Sequence, residues 1–309
     1  MKILFIGHPL PNYVPDLLFH GLRKLFGSHV VDFPRKDILY QGILGQSYLD
    51  PVPGLMADDA DVDRSDLDAK LAAKYFDFIL CDIRAFPDFF PRLRRFAVPL
   101  VLIDGEDSPQ GITAAGPYII LRRETDGCDL SIPLPMALPS EIMDWIDRHA
   151  DAPKTHSIGF LGSLSDPARG ALLAELDRLF GDVRLHCWDK SATWLGRDGY
   201  YRALQGCRVV LTLPGAGYDT FRYWEHAACH AAHVAQRMPI LIPKDFRDGC
   251  EISRFTTVRE LAYRVERMLE RESEWQGYAA RSRSWLRAHH TTEQRALQTL
   301  DRIRAAFLL

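Results

Sequence analysis

Residues 3–6 form an apolar run stopped by Gly7, as expected of a strand buried on both faces of a parallel sheet. Leu17, Leu18, Leu22, Leu25 and Phe26 then fall on one helical face, Gly27 ends the pattern, and 29–33 reads as a second strand. A β-α-β opening of this kind predicts a parallel sheet with a right-handed crossover. The series continues with a helix over 67–75, a strand over 76–81, a helix over 89–96 and strands over 99–103 and 118–121. Pro133, Pro135, Pro139 and Pro153 punctuate the middle of the chain and predict a domain boundary near residue 150. A second series begins with a strand over 156–161 ending in Gly162. Asp166 as N-cap and Pro167 at the first helical position open a helix to Phe180. Strands at 183–187 and 208–213, a helix over 220–232 and a strand over 239–242 follow. Helices then run to the end, the last lined by Leu297, Leu300, Ile303 and Phe307.

The pattern is that of an α/β protein with two Rossmann-like parallel-sheet domains, 1–150 and 151–290, followed by a C-terminal helix over 291–309. A cleft between two such domains is the default ligand site. The 309 residues suffice for two cores. A net charge of −3 argues against a nucleic-acid partner. The six cysteines stand alone with no CxxC pair, which fits a reduced, cytoplasmic setting. The first apolar run is too short for an export signal, and no stretch reaches the ~18 residues needed to span a bilayer. Peripheral membrane contact stays open.

Several constellations carry candidate chemistry. Asp59, Asp61 and Asp63 begin like a calcium loop, but Arg64 stands where Gly is needed and Lys70 where Glu is needed. A solvated loop leading to a helix capped near Ser65 is the better account, and Asp66 and Asp68 at that helix start are not a metal motif. His226, His230 and His233 sit at i, i+4 and i+7, so a helix through them would share a face beside Cys229. With no second ligand cluster, a substrate contact at His226 is preferred to zinc. Phe86, Phe89, Phe90 and Phe96 among Arg92, Arg94 and Arg95 read as a core-facing stripe with a solvated face. His8 follows the first strand at its carboxyl end, where open α/β sheets bind ligands. Asp104, Glu106 and Asp107 follow the strand over 99–103 at the same edge. Any of these four could be the base that deprotonates an acceptor, and the sequence does not choose among them.

The strongest signal lies between Leu211 and His230. It is a strand, a turn with Gly215 and Gly217, and a helix start that Asp219 or Thr220 can cap. Free N–H groups of a first helical turn make an anion site. Arg222 in that turn is unfavourable to the helix dipole unless an anion such as a diphosphate lies beside it. Glu225, at i+3, shares its face and suits the two hydroxyls of a ribose, while an ordinary helix cap with a surface Arg–Glu pair has the same spacing.

The run Gly217-Tyr-Asp-Thr-Phe-Arg222-Tyr-Trp-Glu225-His-Ala-Ala-Cys229 resembles the donor motif of GT-B glycosyltransferases. It is most similar to the bacterial family related to the spore-maturation protein CgeB, with His230 where that family has a small residue. Gly159-Phe-Leu-Gly162-Ser163 with Arg169, the stretch from Ile242 to Glu251, Phe255 to Leu261, Ile103 to Asp107 and Arg122 to Pro135 extend the likeness over most of the chain. The resemblance implies a GT-B arrangement in which the C-terminal helix returns to the first domain. It implies transfer of a sugar from a nucleoside-diphosphate sugar to an acceptor hydroxyl, without metal or cofactor. Arg222 would contact the diphosphate and Glu225 the ribose. Gly162, Ser163, Gly215 and Gly217 would approach the nucleotide by backbone, with Arg169, Thr220 and His226 nearby. The acceptor would be a glycan, a protein, a lipid-linked molecule or a small molecule, read in part by the loop over 40–55. Two rivals share the architecture. A nucleotide-sugar epimerase would turn over donor without acceptor. A non-catalytic, degenerate relative would bind nucleotide or sugar and do neither.

Overall fold

The computed structural model describes residues 1–40, 56, 59–108, 118–164, 167–181, 184–187 and 195–307. The acceptor loop and Asp166 expected from the sequence lie outside this set, apart from Tyr40. The first half of the chain runs β1 (Ile3–Ile6), α1 (Tyr13–Phe26), β2 (Val30–Asp32), α2 (Leu67–Ala72), β3 (Phe78–Asp82), α3 (Phe86–Leu93), β4 (Leu100–Asp104), β5 (Ile119–Arg122), β6 (Ile132–Pro133) and α4 (Ser140–Asp147). The second half runs β7 (His156–Gly162), α5 (Pro167–Phe180), β8 (Arg184–Cys187), α6 (Gly196–Gln205), β9 (Cys207–Thr212), α7 (Phe221–Ala228), β10 (Ala232–Gln236), β11 (Ser253–Phe255), α8 (Val258–Leu269), α9 (Glu272–His289) and α10 (Thr292–Phe307). Two compact units result. Unit 1 is Met1–Pro139 with Ile240–Pro243 and Thr291–Leu309, and unit 2 is Ser140–Pro239 with Lys244–His290.

Unit 1 holds a parallel sheet in the order β2-β1-β3-β4-β5-β6. Its inner strands are continuous apolar runs because both faces are covered. Leu4, Ile6, Ile79, Cys81 and Leu102 join one core cluster, against which Phe86, Phe89 and Phe96 pack, so the aromatic stripe faces the core as expected. α1 stops at Gly27, whose φ of +55° suits glycine. α10 lies against α1 at a place where only glycine fits: a Cβ on Gly21 would sit 2.0 Å from the Thr292 carbonyl oxygen. His20 Nδ1 and Thr292 Oγ1, 2.9 Å apart, hydrogen-bond across the same crossing.

Unit 2 holds a parallel sheet in the order β11-β10-β9-β7-β8. Ile158, Phe160, Val209, Leu211 and Val234 pack with Leu261, Val265 and Trp275 of α8 and α9. In each sheet the chain first crosses to one side and then to the other, so strand order reverses between β1 and β3 and between β7 and β9. The carboxyl ends at such a switch point leave a crevice between loops that part in opposite directions, the place where open α/β sheets bind ligands.

The structure corrects several sequence expectations. The helix expected over 220–232 ends at Ala228, and the strand expected over 239–242 lies instead at Ala232–Gln236. Local alanine-rich composition favours helix, but tertiary bonds win. Cys229 is extended, Gln205 Oε1 accepts from the His230 N–H at 2.9 Å, and Lys154 Nζ donates to the His230 carbonyl. Segment 240–243 crosses to unit 1, where the Leu241 N–H donates to the Thr125 carbonyl at 2.8 Å. The chain beyond is not helical throughout, because β11 precedes α8. The N-cap of α2 is Asp66, at φ +47° and next to Ser65, but no side chain bonds the helix start, and the Ser65 Oγ bonds Asp63 at 2.6 Å. α3 begins three residues before the expected position, with Pro87 accommodated in its first turn. α4, α6, β6 and β11 have no counterpart in the sequence pattern.

Candidate functional site

The unit 2 switch point is built by two loops and one buried arginine. Arg169 of α5 is 5% exposed, and its Nη groups donate to the carbonyls of Ser163, after β7, and Pro214, after β9. It ties together the two loops that frame the crevice and is itself covered. The Gly215 N–H donates to the Gly217 carbonyl at 2.9 Å, closing the turn after β9. Thr220 then serves as N-cap of α7, with φ −100° and ψ 146°, but gives the helix no side-chain bond. Its Oγ1 is buried with no partner among the described residues.

Arg222, in the first turn of α7, reaches back to β7, where its Nε donates to the Leu161 carbonyl at 2.8 Å. Its guanidinium lies where a side chain on Gly162 would be: a Cβ there would come within 2.8 Å of Cζ and Nε. Gly162 therefore makes room for Arg222, and not directly for a ligand. Nε holds the guanidinium in place while the Nη groups have no hydrogen-bond partner among the described residues. An oriented guanidinium at the N-terminal end of a helix is a site for a phosphate-bearing anion. Gly162→Ala should push the guanidinium aside at little cost in folding stability, since the group it meets ends a flexible side chain. Diphosphate affinity should fall in calorimetry, and the double variant Gly162→Ala/Arg222→Ala should lose no more than Arg222→Ala alone.

Glu225 does not pair directly with Arg222, although the two share a helix face. Its oxygens accept from the hydroxyls of Tyr201 at 2.7 Å and Tyr200 at 3.1 Å, both on α6. Burial pushes the Glu225 carboxyl up, opposed by Tyr201, Arg222, Tyr200 and Arg197. Each carboxylate oxygen keeps a further lone pair for a hydroxyl donor. The tyrosines escaped sequence reasoning because Gly196 and Gly199 obscure the periodicity of α6.

His226 packs inside unit 2. Its ring is fully buried, with Nδ1 2.7 Å from Thr212 Oγ1, and burial with the nearby Arg222 charge pulls it down to about 3. His233 lies on β10, with Nε2 3.0 Å from the same hydroxyl, so the three histidines share no helix face. His230 sits past the end of α7 and bonds Asp147 of α4 at 3.1 Å. Among the described residues no group of three His, Cys, Asp or Glu could hold a metal.

The unit 1 candidates gather at the carboxyl edge of its sheet. Asp104, at the end of β4, is 1% exposed and bound by Arg122 Nε at 3.2 Å, which encloses it within unit 1. Glu106 pairs with Arg84 and Asp107 with Arg123, and both remain open to solvent. His8 Nδ1 accepts from the Leu10 N–H at 3.2 Å. Two groups the sequence did not single out, Asp82 and Asn12, close the β1/β3 switch point: Asn12 Nδ2 donates to Asp82 at 3.2 Å.

The fold and part of the sequence have known counterparts. No curated protein matches the chain. Among solved structures, HepE of Anabaena in complex with UDP-glucose aligns over 99% of this chain and 100% of its own, at 13% identity and a TM-score of 0.54. Sucrose-phosphate synthase of Thermosynechococcus elongatus aligns over 100% and 99%, at 14% identity and a TM-score of 0.51. A glycosyltransferase from Rickettsia africae aligns over 98% of both chains, at 10% identity and a TM-score of 0.54. No helix among the described residues is long and apolar enough to cross a membrane. The two parallel-sheet units are those of the GT-B glycosyltransferase fold, and residues 169–301, which carry Arg169, Arg222 and Glu225, match the family described as glycosyl transferase-like.

Proposed function

We propose that the chain is a cytoplasmic, metal-independent glycosyltransferase that moves a sugar from a nucleoside-diphosphate sugar to an acceptor hydroxyl. Unit 2 binds the donor and unit 1 supplies the acceptor side. The observation that carries this is Arg222, oriented by Leu161 and Gly162 with its Nη groups unengaged by described residues, at the start of α7. As the bond from the anomeric carbon to the diphosphate breaks, negative charge grows on the leaving oxygen. The guanidinium and the N–H groups of α7 would stabilise it there, a preorganised electrostatic role that needs no cation. Glu225 would accept from the ribose hydroxyls, and the backbone at Ser163, Gly215 and Gly217 would line the nucleotide. The acceptor proton would pass to His8, Glu106 or Asp107, the solvent-accessible candidates at the unit 1 edge. The finer kinship, with the CgeB-like bacterial group, rests on the motif from Gly217 to Cys229.

Solved HepE structures hold UDP and UDP-glucose, which makes UDP the first nucleotide to test. Calorimetry should show micromolar UDP, GDP or dTDP binding that is the same in EDTA and in Mg²⁺. Binding that appears only with Mg²⁺ would remove the metal-independent mechanism. Glu225→Gln should weaken the preferred ribonucleotide by about tenfold, the worth of one charged hydrogen bond, and leave its 2′,3′-dideoxy analogue nearly unchanged. Equal losses for both would show that Glu225 acts only by holding Tyr200 and Tyr201.

A further inference from the structure

Arg197 is the second arginine within electrostatic reach of Glu225, after Arg222. It lies on α6 at i, with Tyr200 and Tyr201 at i+3 and i+4, so the three share one helix face. Both tyrosine hydroxyls bond Glu225, which fixes that face towards the carboxylate. The Arg197 guanidinium sits over the indole of Trp145 on α4, 3.9 Å from the ring centroid. It makes no hydrogen bond or ion pair with any described residue.

Two features make this arrangement costly for the protein alone. Burial works against the charge, with Tyr201, Glu225 and Asp198 supporting it only in part. The residue also occupies the first turn of α6, where the helix dipole disfavours a cation. A guanidinium over an aromatic face keeps its N–H donors in its own plane, where the edge can meet a ligand. Such an edge can only donate. It complements a carbonyl and opposes an amine.

We propose that Arg197 reads the nucleobase of the donor, donating to the carbonyl that uracil and guanine carry where cytosine and adenine carry an amine. The inference rests on the donor site proposed above. The diphosphate leaves a ribose from C5′ and the base from C1′. With the ribose on Glu225 and the diphosphate on Arg222, the remaining arginine beside Glu225 serves the base. Trp145 supports Arg197, and Tyr200 and Tyr201 hold the carboxylate within electrostatic reach of both guanidinium groups.

The test is calorimetric titration of the full chain and of Arg197→Gln with UDP, CDP, GDP, ADP and ribose 5-diphosphate. The unaltered protein should prefer UDP to CDP or GDP to ADP. Arg197→Gln should reduce that preference by about ten- to hundredfold, the range for one well-made arginine–base contact. It should leave ribose 5-diphosphate binding unchanged, which also shows that the variant is folded. Arg197→Lys, which keeps the charge but loses the fork, should fall between the two. An unaltered ratio in Arg197→Gln, an equal loss for ribose 5-diphosphate and UDP, or no carbonyl preference in the unaltered protein would each overturn the assignment. Failure of the donor site itself has a different signature: none of the five ligands, ribose 5-diphosphate included, would bind the unaltered protein.

Discussion

Arg222→Ala should lower kcat/KM for glycosyl transfer by about 10²–10³-fold, the usual cost of removing one preorganised donor to developing negative charge. The loss should be specific to the diphosphate. Uridine binding should change little, whereas UDP binding should weaken strongly, because in the proposed site the guanidinium would meet the phosphates and not the nucleoside. The structure makes the expectation sharper than a charge count would. Nε is committed to the Leu161 carbonyl at 2.8 Å, so the plane of the guanidinium is set before any ligand arrives. Arg222→Lys should therefore recover only part of the activity. It restores the charge but cannot bond Leu161 and fork onto two phosphate oxygens together. Equal losses for uridine and UDP would show that Arg222 supports the loops around β7 and does not contact the diphosphate.

How far the sequence revealed this site depends on where each partner lies along the chain. Arg222 and Glu225 are legible because the run from Gly217 to Cys229 resembles a known donor motif, whereas their spacing alone is equally that of a surface pair on a capped helix. What holds them is not legible. The Leu161 carbonyl and the bare Cα of Gly162 are some 60 positions away, and Tyr200 and Tyr201 lie on a helix whose two glycines hide its period. β1, β3, β4, β7 and β9 are legible because sheets covered on both faces require unbroken apolar runs. The end of α7 is the opposite case. Its sequence continues as good helix, and the chain turns out because Gln205 and Lys154 capture the His230 backbone. Reading a helix through Ala232 places His226, His230 and His233 together as ligands. Ending it at Ala228 separates them into a core pair and a side chain bonded to Asp147.

That core pair should make unit 2 acid-labile well before its carboxylates protonate. His226 is held near 3, by burial first and by the Arg222 charge second, against about 6.5 in the unfolded chain. His233 is held well below its ordinary value by burial, by His226 and by Arg254. A histidine whose folded value is depressed contributes stability that is fully present above the unfolded value and is lost as pH falls towards the folded one. For His226 the window runs from about 6.5 down to about 3. Its share of the loss by pH 5 is about 2 kcal/mol, and across the whole window on the order of 5 kcal/mol, a large part of the stability of an ordinary domain. His233 adds in the same direction. Urea unfolding followed by the fluorescence of the buried Trp224 should therefore show falling stability between pH 7 and 5. Few carboxylates titrate there, which separates this loss from ordinary acid denaturation. The double variant His226→Asn/His233→Asn keeps polar groups against Thr212 but cannot take up protons, and its stability should be nearly flat over that interval. A wild-type profile as flat as the variant's would show that the two rings carry their protons in the folded state, and that Thr212 joins charged rings and not neutral ones.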